Sequence, residues 1–149
     1  MRAVVQRVRE CSVHVEGKPI GSIAKGLLVY LGVGRNDTEK DARTIADKIL
    51  NLRIFTDNQG KMNLSALEVG GDILVVSQFT LFGDAREGRR PSYSEAAEPE
   101  KAKSLYALAL RLLTQSSLKV AAGEFHTKME VSCTNVGPVT ILLDSERKF

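Results

Sequence analysis

Gly26-Leu27-Leu28-Val29-Tyr30-Leu31-Gly32-Val33 is a continuous apolar run of strand length with glycines near both ends. A strand with one face in water alternates apolar and polar residues, whereas a run without alternation is covered on both faces. This stretch therefore predicts a central strand, and the rest of the chain must supply its covers. Asp37-Thr38-Glu39-Lys40-Asp41 offers a side-chain cap and an acidic first turn, and Ala42, Ile45, Ala46, Ile49 and Leu50 follow at helical spacing. A second amphipathic helix is expected within Ser94 to Ser117, with Pro99 near its start and Ala102, Leu105, Tyr106, Ala109, Leu112 and Leu113 on one face. Ile73-Leu74-Val75-Val76 reads as another buried strand, running on into Ser77-Gln78-Phe79-Thr80-Leu81. Arg2 to Val8, Ser12 to Val15 and Leu52 to Phe55 read as further strands, with Gly17 to Gly21 and Thr56 to Lys61 as turns. Strands and helices do not strictly alternate, so the expected class is α+β. The expected architecture is a mixed, curved, barrel-like sheet covered by two main amphipathic helices, in one domain over residues 1–149.

Composition bounds the function. With 149 residues, 43% of them apolar and 26% charged, the chain suits one domain with a real core. No run approaches the roughly 20 apolar residues of a membrane span, and the first residues lack the apolar core of a signal peptide, so a cytoplasmic protein without membrane contact is expected. Cys11 and Cys133 both fall in strand-like alternation, where a free thiol acts as a small buried hydrophobe; both are expected to be reduced and structural. The two histidines and two cysteines show no metal-ligand spacing, so neither a metal nor another cofactor is expected. His14 reads as one polar position of a strand and is given no chemistry. The net charge of +3 is modest, but Arg86, Arg89 and Arg90 crowd one loop and Arg2, Arg7 and Arg9 crowd the first strand. Phosphate-binding patches and a solvated loop both explain them.

Two stretches stand apart. In Ser77-Gln78-Phe79-Thr80 a strand that has been wholly apolar acquires three polar side chains, and a period of two would put Gln78 and Thr80 on one face. In Asn135-Val136-Gly137-Pro138-Val139-Thr140 a Gly-Pro step separates two β-prone runs, which suggests a tight corner presenting bare main chain. A polar strand end and a plain hairpin turn account for the same residues. A nucleophilic Ser or Thr needs an adjacent base, and none is evident near Thr80, so backbone donors and a group borrowed from the substrate are the better-supported catalytic equipment.

Taken together, these two stretches resemble the paired signature of the D-aminoacyl-tRNA deacylases, and the resemblance runs the whole length. Gln6-Arg7-Val8, Val15-Glu16-Gly17, Gly26 to Val29, Arg53-Ile54-Phe55, Gly60 to Leu64, Gly88 with Arg90-Pro91-Ser92, and Phe125 also look like that family's pattern. The resemblance implies an editing hydrolase that cleaves the ester between a D-amino acid and the terminal adenosine of tRNA, without a cofactor. It implies a homodimer in which a cis Gly137-Pro138 peptide reaches into the partner's pocket, facing Ser77 to Thr80, and bars L side chains with a main-chain wall. Glycyl-tRNA, with hydrogen on both sides of its α-carbon, would pass that wall. The implied roles are Gln78 as a positioner near the ribose, Phe79 as the donor of a backbone N–H to the oxyanion, Thr80 as a nucleophile or pocket-shaping group, and Ser77 as a brace. Phe125 and Arg7 are carried as substrate-side residues, with Arg7 supporting the Gly-Pro loop. This chain departs from the pattern at His126-Thr127, where small residues are common, and at Val136, where an aspartate is common. A related deacylase of L-alanyl-tRNA and a non-catalytic tRNA-binding module are the competing readings.

Overall fold

The computed structural model describes residues 1–149. Six of the eight strands form a mixed sheet nearly closed into a barrel; the other two make a small ribbon, and three α-helices and one 3-10 turn complete the fold. Its organiser is β1 (Arg2–Val15), a strand of 14 residues. It pairs antiparallel with β2 (Lys18–Ile23), with β3 (Gly26–Gly32) and with β8 (Glu130–Asp144). One strand can serve three partners because β3 takes only Arg2 to Val8 and β2 only Cys11 to Val15, while β8 runs along the other edge. From β3 the sheet continues in parallel through β6 (Asp72–Ser77) to β7 (Val120–Ala122). The curl brings β2 back towards β6 and β7: at Gly21 a side chain would lie 3.0 Å from the Ala122 carbonyl oxygen and 3.3 Å from Leu74.

The central strand is covered on both faces, as its composition requires. Leu27, Val29 and Leu31 join Ile73 and Val75 in the larger core cluster beneath the helices. Leu28 joins Leu74 and Val76 in a smaller cluster inside the barrel, with Val8, Cys11, Val13 and Ile23. The alternation of the strand thus sorts neighbouring apolar residues between two cores. Helix α1 (Glu39–Asn51) buries Ala42, Ile45, Ala46 and Ile49, and α3 (Pro99–Thr114) buries Leu105, Tyr106, Leu108, Ala109 and Leu113. The two helices pack on each other over the sheet.

Several expectations need correction. Residues 17–21 are not a simple turn, because β2 begins at Lys18 and pairs with β1. The strand expected at Leu52 to Phe55 is reduced to β4 (Phe55–Thr56), which pairs with β5 (Met62–Leu64) in a separate small ribbon. A short helix α2 (Ala66–Val69) follows Ser65, whose hydroxyl accepts from the Glu68 N–H while the Glu68 carboxylate accepts from the Ser65 N–H. The helix of 94–117 contracts to Pro99–Thr114, since Pro99 can only sit in a first turn. Cys133 is exposed and not buried.

The largest correction concerns Asn135 to Thr140. Gly137-Pro138 does not join two strands by a hairpin; it lies inside β8, which pairs with the same partner on both sides. Gln6 faces Thr140 and Val8 faces Asn135, so four residues, Val136 to Val139, stand opposite Arg7 alone. The surplus chain bulges out of the ladder, a device that removes the proline from its missing hydrogen bond without ending the strand. The Gly137-Pro138 peptide is cis.

Candidate active site

Strand β6 ends at Ser77 because its neighbour ends: Gln78 donates its N–H to the Leu31 carbonyl at 2.9 Å, and β3 offers no pairing beyond Gly32. The chain then enters a 3-10 turn over Phe79–Phe82. The period-two placement of Gln78 and Thr80 therefore fails, yet the two side chains meet across the turn, the Gln78 amide donating to the Thr80 hydroxyl. Phe79 and Thr80 open this turn, so their N–H groups have no partner within it. The exposed Phe79 ring stands edge-on to Tyr93 with centroids 5.1 Å apart.

Ser77, Gln78 and Phe79 form one rim of a cavity of about 520 Å³. Its floor comes from Leu31, Val33 and Val76, and its far wall from α3 through Pro99, Ala102 and Tyr106. Phe125, His126 and Thr127, in the loop after β7, close the remaining side. The Tyr106 hydroxyl donates to the Val75 carbonyl at 3.2 Å, and burial pushes its pKa up to about 12, so it stays a neutral donor. The Phe125 ring lies 5.6 Å from that of Tyr106 and 6.3 Å from that of His126. Largely apolar walls, with Ser77 and Gln78 at one rim and His126 and Thr127 across from them, suit an aromatic or aliphatic ligand whose polar end lies at the rim.

Thr80 does not line this cavity. The only side chain hydrogen-bonded to its hydroxyl is the Gln78 amide, which can take no proton at neutral pH. Gly137 and Pro138 are exposed and also stand outside the cavity wall of their own chain. Their bulge is tied down from its base. Arg7 donates from Nη1 to the Ile54 carbonyl at 2.7 Å and from Nε to the Val136 carbonyl at 3.2 Å. Asn135 Oδ1 accepts from the Val139 N–H at 3.2 Å, and both Asn135 and Gln6 donate to the Thr140 hydroxyl, at 3.0 and 3.2 Å. The structure thus divides the candidates into a cavity group, Ser77, Gln78, Phe79 and Phe125 with Thr80 behind it, and a bulge group, Arg7, Gly137 and Pro138.

Of the loop arginines, Arg86 is already engaged, its Nε donating to Asp84 Oδ1 at 2.9 Å, and this pairing holds the Asp84 carboxyl well below the usual carboxylate range. Arg89 and Arg90 are exposed.

A family model described as D-Tyr-tRNA(Tyr) deacylase matches residues 4–144. The chain belongs to the D-Tyr-tRNA(Tyr) deacylase family. Its relatives include D-aminoacyl-tRNA deacylases of Thermosipho melanesiensis and Thermotoga petrophila, 61% and 56% identical, each match covering all of both chains. Among solved structures, one described as c-Myc DNA Unwinding Element Binding Protein is 39% identical with a TM-score of 0.92, covering 97% of this chain and 98% of that one. Another, described as a probable eukaryotic D-amino acid tRNA deacylase, has a TM-score of 0.80 over 95% of this chain and 97% of that chain; at 18% identity it speaks to the fold alone. The deacylase family is one of hydrolases acting on aminoacyl-tRNA. The cavity also takes in Tyr106, which its helical stripe assigns only to the core although a buried hydroxyl needs a partner, and His126 and Thr127, where the chain departs from the family pattern. Asn135 and Gln6 tie the base of the bulge, a role that residue type alone does not signal.

Proposed function

We propose that this chain is an aminoacyl-tRNA editing hydrolase that cleaves the ester of D-aminoacyl-tRNA, releasing free amino acid and tRNA. The observation that carries the reading is the half-apolar cavity rimmed by Ser77, Gln78 and Phe79 and walled by Phe125, in a chain of the deacylase family. The 3′ end of the tRNA enters the cavity, and Gln78, held by Thr80, positions the ribose. The Phe79 N–H, which has no partner within the 3-10 turn, stabilises the oxyanion. With no base beside Thr80, the attacking water is activated by the neighbouring ribose hydroxyl of the substrate, and the protein's side chains position and do not attack. Ser77 ends the strand and braces the rim.

Chirality is read by exclusion. The chain acts as a homodimer in which the Gly137-Pro138 bulge of one protomer closes the pocket of its partner. This accounts for a bulge that is tied at its base by Arg7 and Asn135, yet is exposed and takes no part in the wall of its own chain's cavity. With the amino group and carbonyl pinned, the wall stands where an L side chain would project and leaves room for hydrogen alone. Many D side chains are accepted and glycine is not barred.

The test is deacylation of D-tyrosyl-tRNA, with L-tyrosyl-tRNA, D-aspartyl-tRNA and glycyl-tRNA beside it and a chelator in parallel. Fast loss of both D esters, measurable loss of the glycyl ester, survival of the L ester and indifference to chelator are expected. Strict preference for one D side chain overturns the wall; survival of every ester overturns the enzyme and leaves a tRNA-binding module.

A further inference from the structure

Cys11 and Cys133 are direct cross-strand partners in the β1–β8 ladder. Residues opposite one another on antiparallel strands project to the same face with Cα atoms about 4.5–5.5 Å apart, inside the range of about 4.4–6.8 Å that a disulfide spans. Each neighbour fits that geometry. Cys11 is 3% exposed and packs with Val8, Val13 and Ile23 on the barrel side, and Val131, two residues before Cys133, packs on the same cluster. Cys133 sits at the outer edge of that face, exposed, in a shallow groove with Glu10, Ser22 and Thr134.

We propose that Cys11 and Cys133 form an oxidisable dithiol that closes to an intrachain disulfide under peroxide. The exposed Cys133 thiolate attacks hydrogen peroxide, giving a sulfenic acid and hydroxide. The Cys11 sulfur then displaces hydroxide from that sulfur, its proton leaving with the hydroxide as water. Two S–H bonds are lost, one S–S bond forms and the peroxide is reduced to two waters. The Cys11 thiol is pushed up to about 12 by burial and by the adjacent Cys133, so it is a slow attacker and a poor leaving group. Closure is therefore slow, and so is reduction, which makes the pair a staple more than a fast switch.

The position gives the staple its consequence. The β1–β8 pairing is irregular between Val8 and Cys11 and again between Gln6 and Val8, and Cys11 opposite Cys133 is the first regular pair beyond both. Gln6 and Thr140 anchor one end of the irregular stretch through a hydrogen bond; the disulfide anchors the other. The bulge carrying Gly137 and Pro138 is then held between two fixed points, and most of the chain is enclosed in the covalent loop.

The reduced protein is treated with hydrogen peroxide and followed by thiol count, intact mass, non-reducing gel and Tm, readouts that do not depend on the deacylase reading. Expected are loss of both thiols, a mass lower by two hydrogen atoms, a single-chain band, and a Tm higher by about 5 °C or more. Dithiothreitol should reverse the shift, and Cys133→Ser, a change at an exposed position, should abolish it. A Cys133 that ends as sulfenic or sulfinic acid beside a free Cys11, a disulfide between two chains, or a Tm that stays level or falls overturns the proposal.

Discussion

At Gly137 the backbone has φ +122°, and an added Cβ would meet Val139 Cγ2 at 2.8 Å and Arg7 Nη2 at 3.0 Å. Only glycine holds that conformation without strain, so Gly137→Ala should destabilise the protein by about 1–3 kcal/mol, read as a lower urea midpoint at unchanged slope. Thr80 poses the opposite case, an exposed side chain whose one bond is to Gln78. Losing one hydrogen bond of about 1 kcal/mol that orients Gln78 should lower kcat/KM for D-tyrosyl-tRNA about fivefold in Thr80→Ala. A loss of about 10⁴-fold with the fold intact would instead make Thr80 the nucleophile. The polar character of both motifs was legible from residue type, because three polar side chains at the end of an apolar strand, and glycine before proline, are exceptions to their surroundings. Their partners were not legible: that Arg7 grips the Ile54 and Val136 carbonyls depends on chain segments distant in sequence.

Among the elements, helix α1 shows how a short sequence signal becomes a measurable pH dependence. The Asp41 carboxylate accepts from the Thr38 N–H and from the Thr38 hydroxyl, both at 2.8 Å. Burial pushes the Asp41 pKa up, but hydrogen bonds from Ser145 and Thr38 outweigh it and leave the group below its ordinary value. A carboxylate lowered in the folded state contributes stability that is present above its unfolded pKa and is lost as pH falls through the folded one. Stability should therefore be level from pH 7 to about 5 and decline below about pH 4. Asp41→Asn should cost about 0.5 kcal/mol at pH 7, a figure kept small by solvent screening of a half-buried group at the surface, and should make the acid decline shallower in denaturant titrations. The cap and stripe of α1 were readable because they are local, with all their parts within one or two turns. The strand ends were not. Ser77 to Thr80 continues to look like strand by composition, and only the end of β3 at Gly32 explains why the ladder stops.

For the whole molecule, the separation of the two candidate groups is the decisive feature. If the bulge of one protomer completes its partner's cavity, mixing Gln78→Ala with Gly137→Ala subunits should generate heterodimers with one site in which both parts are intact. Random exchange of equal amounts of subunits should then leave about a quarter of the sites free of either substitution, read as D-tyrosyl-tRNA deacylation above the mean of the two parents, whereas a site completed within one chain would give no gain. The helices of the structure are also too short and polar to cross a membrane. What the sequence determined by itself was the inventory: a central strand at Gly26 to Val33, two amphipathic helices, an α+β class and two motifs out of character with their neighbours. Those follow from hydrophobic periodicity and turn chemistry, which act over a few residues. What only the tertiary structure decided was pairing: the long β8 that absorbs Gly137-Pro138 as a bulge, the cavity joining Ser77 to Phe125, and Cys11 facing Cys133. Sheet register is set by which strands find one another across the chain, and a strand's own pattern states which face is buried but not against which partner.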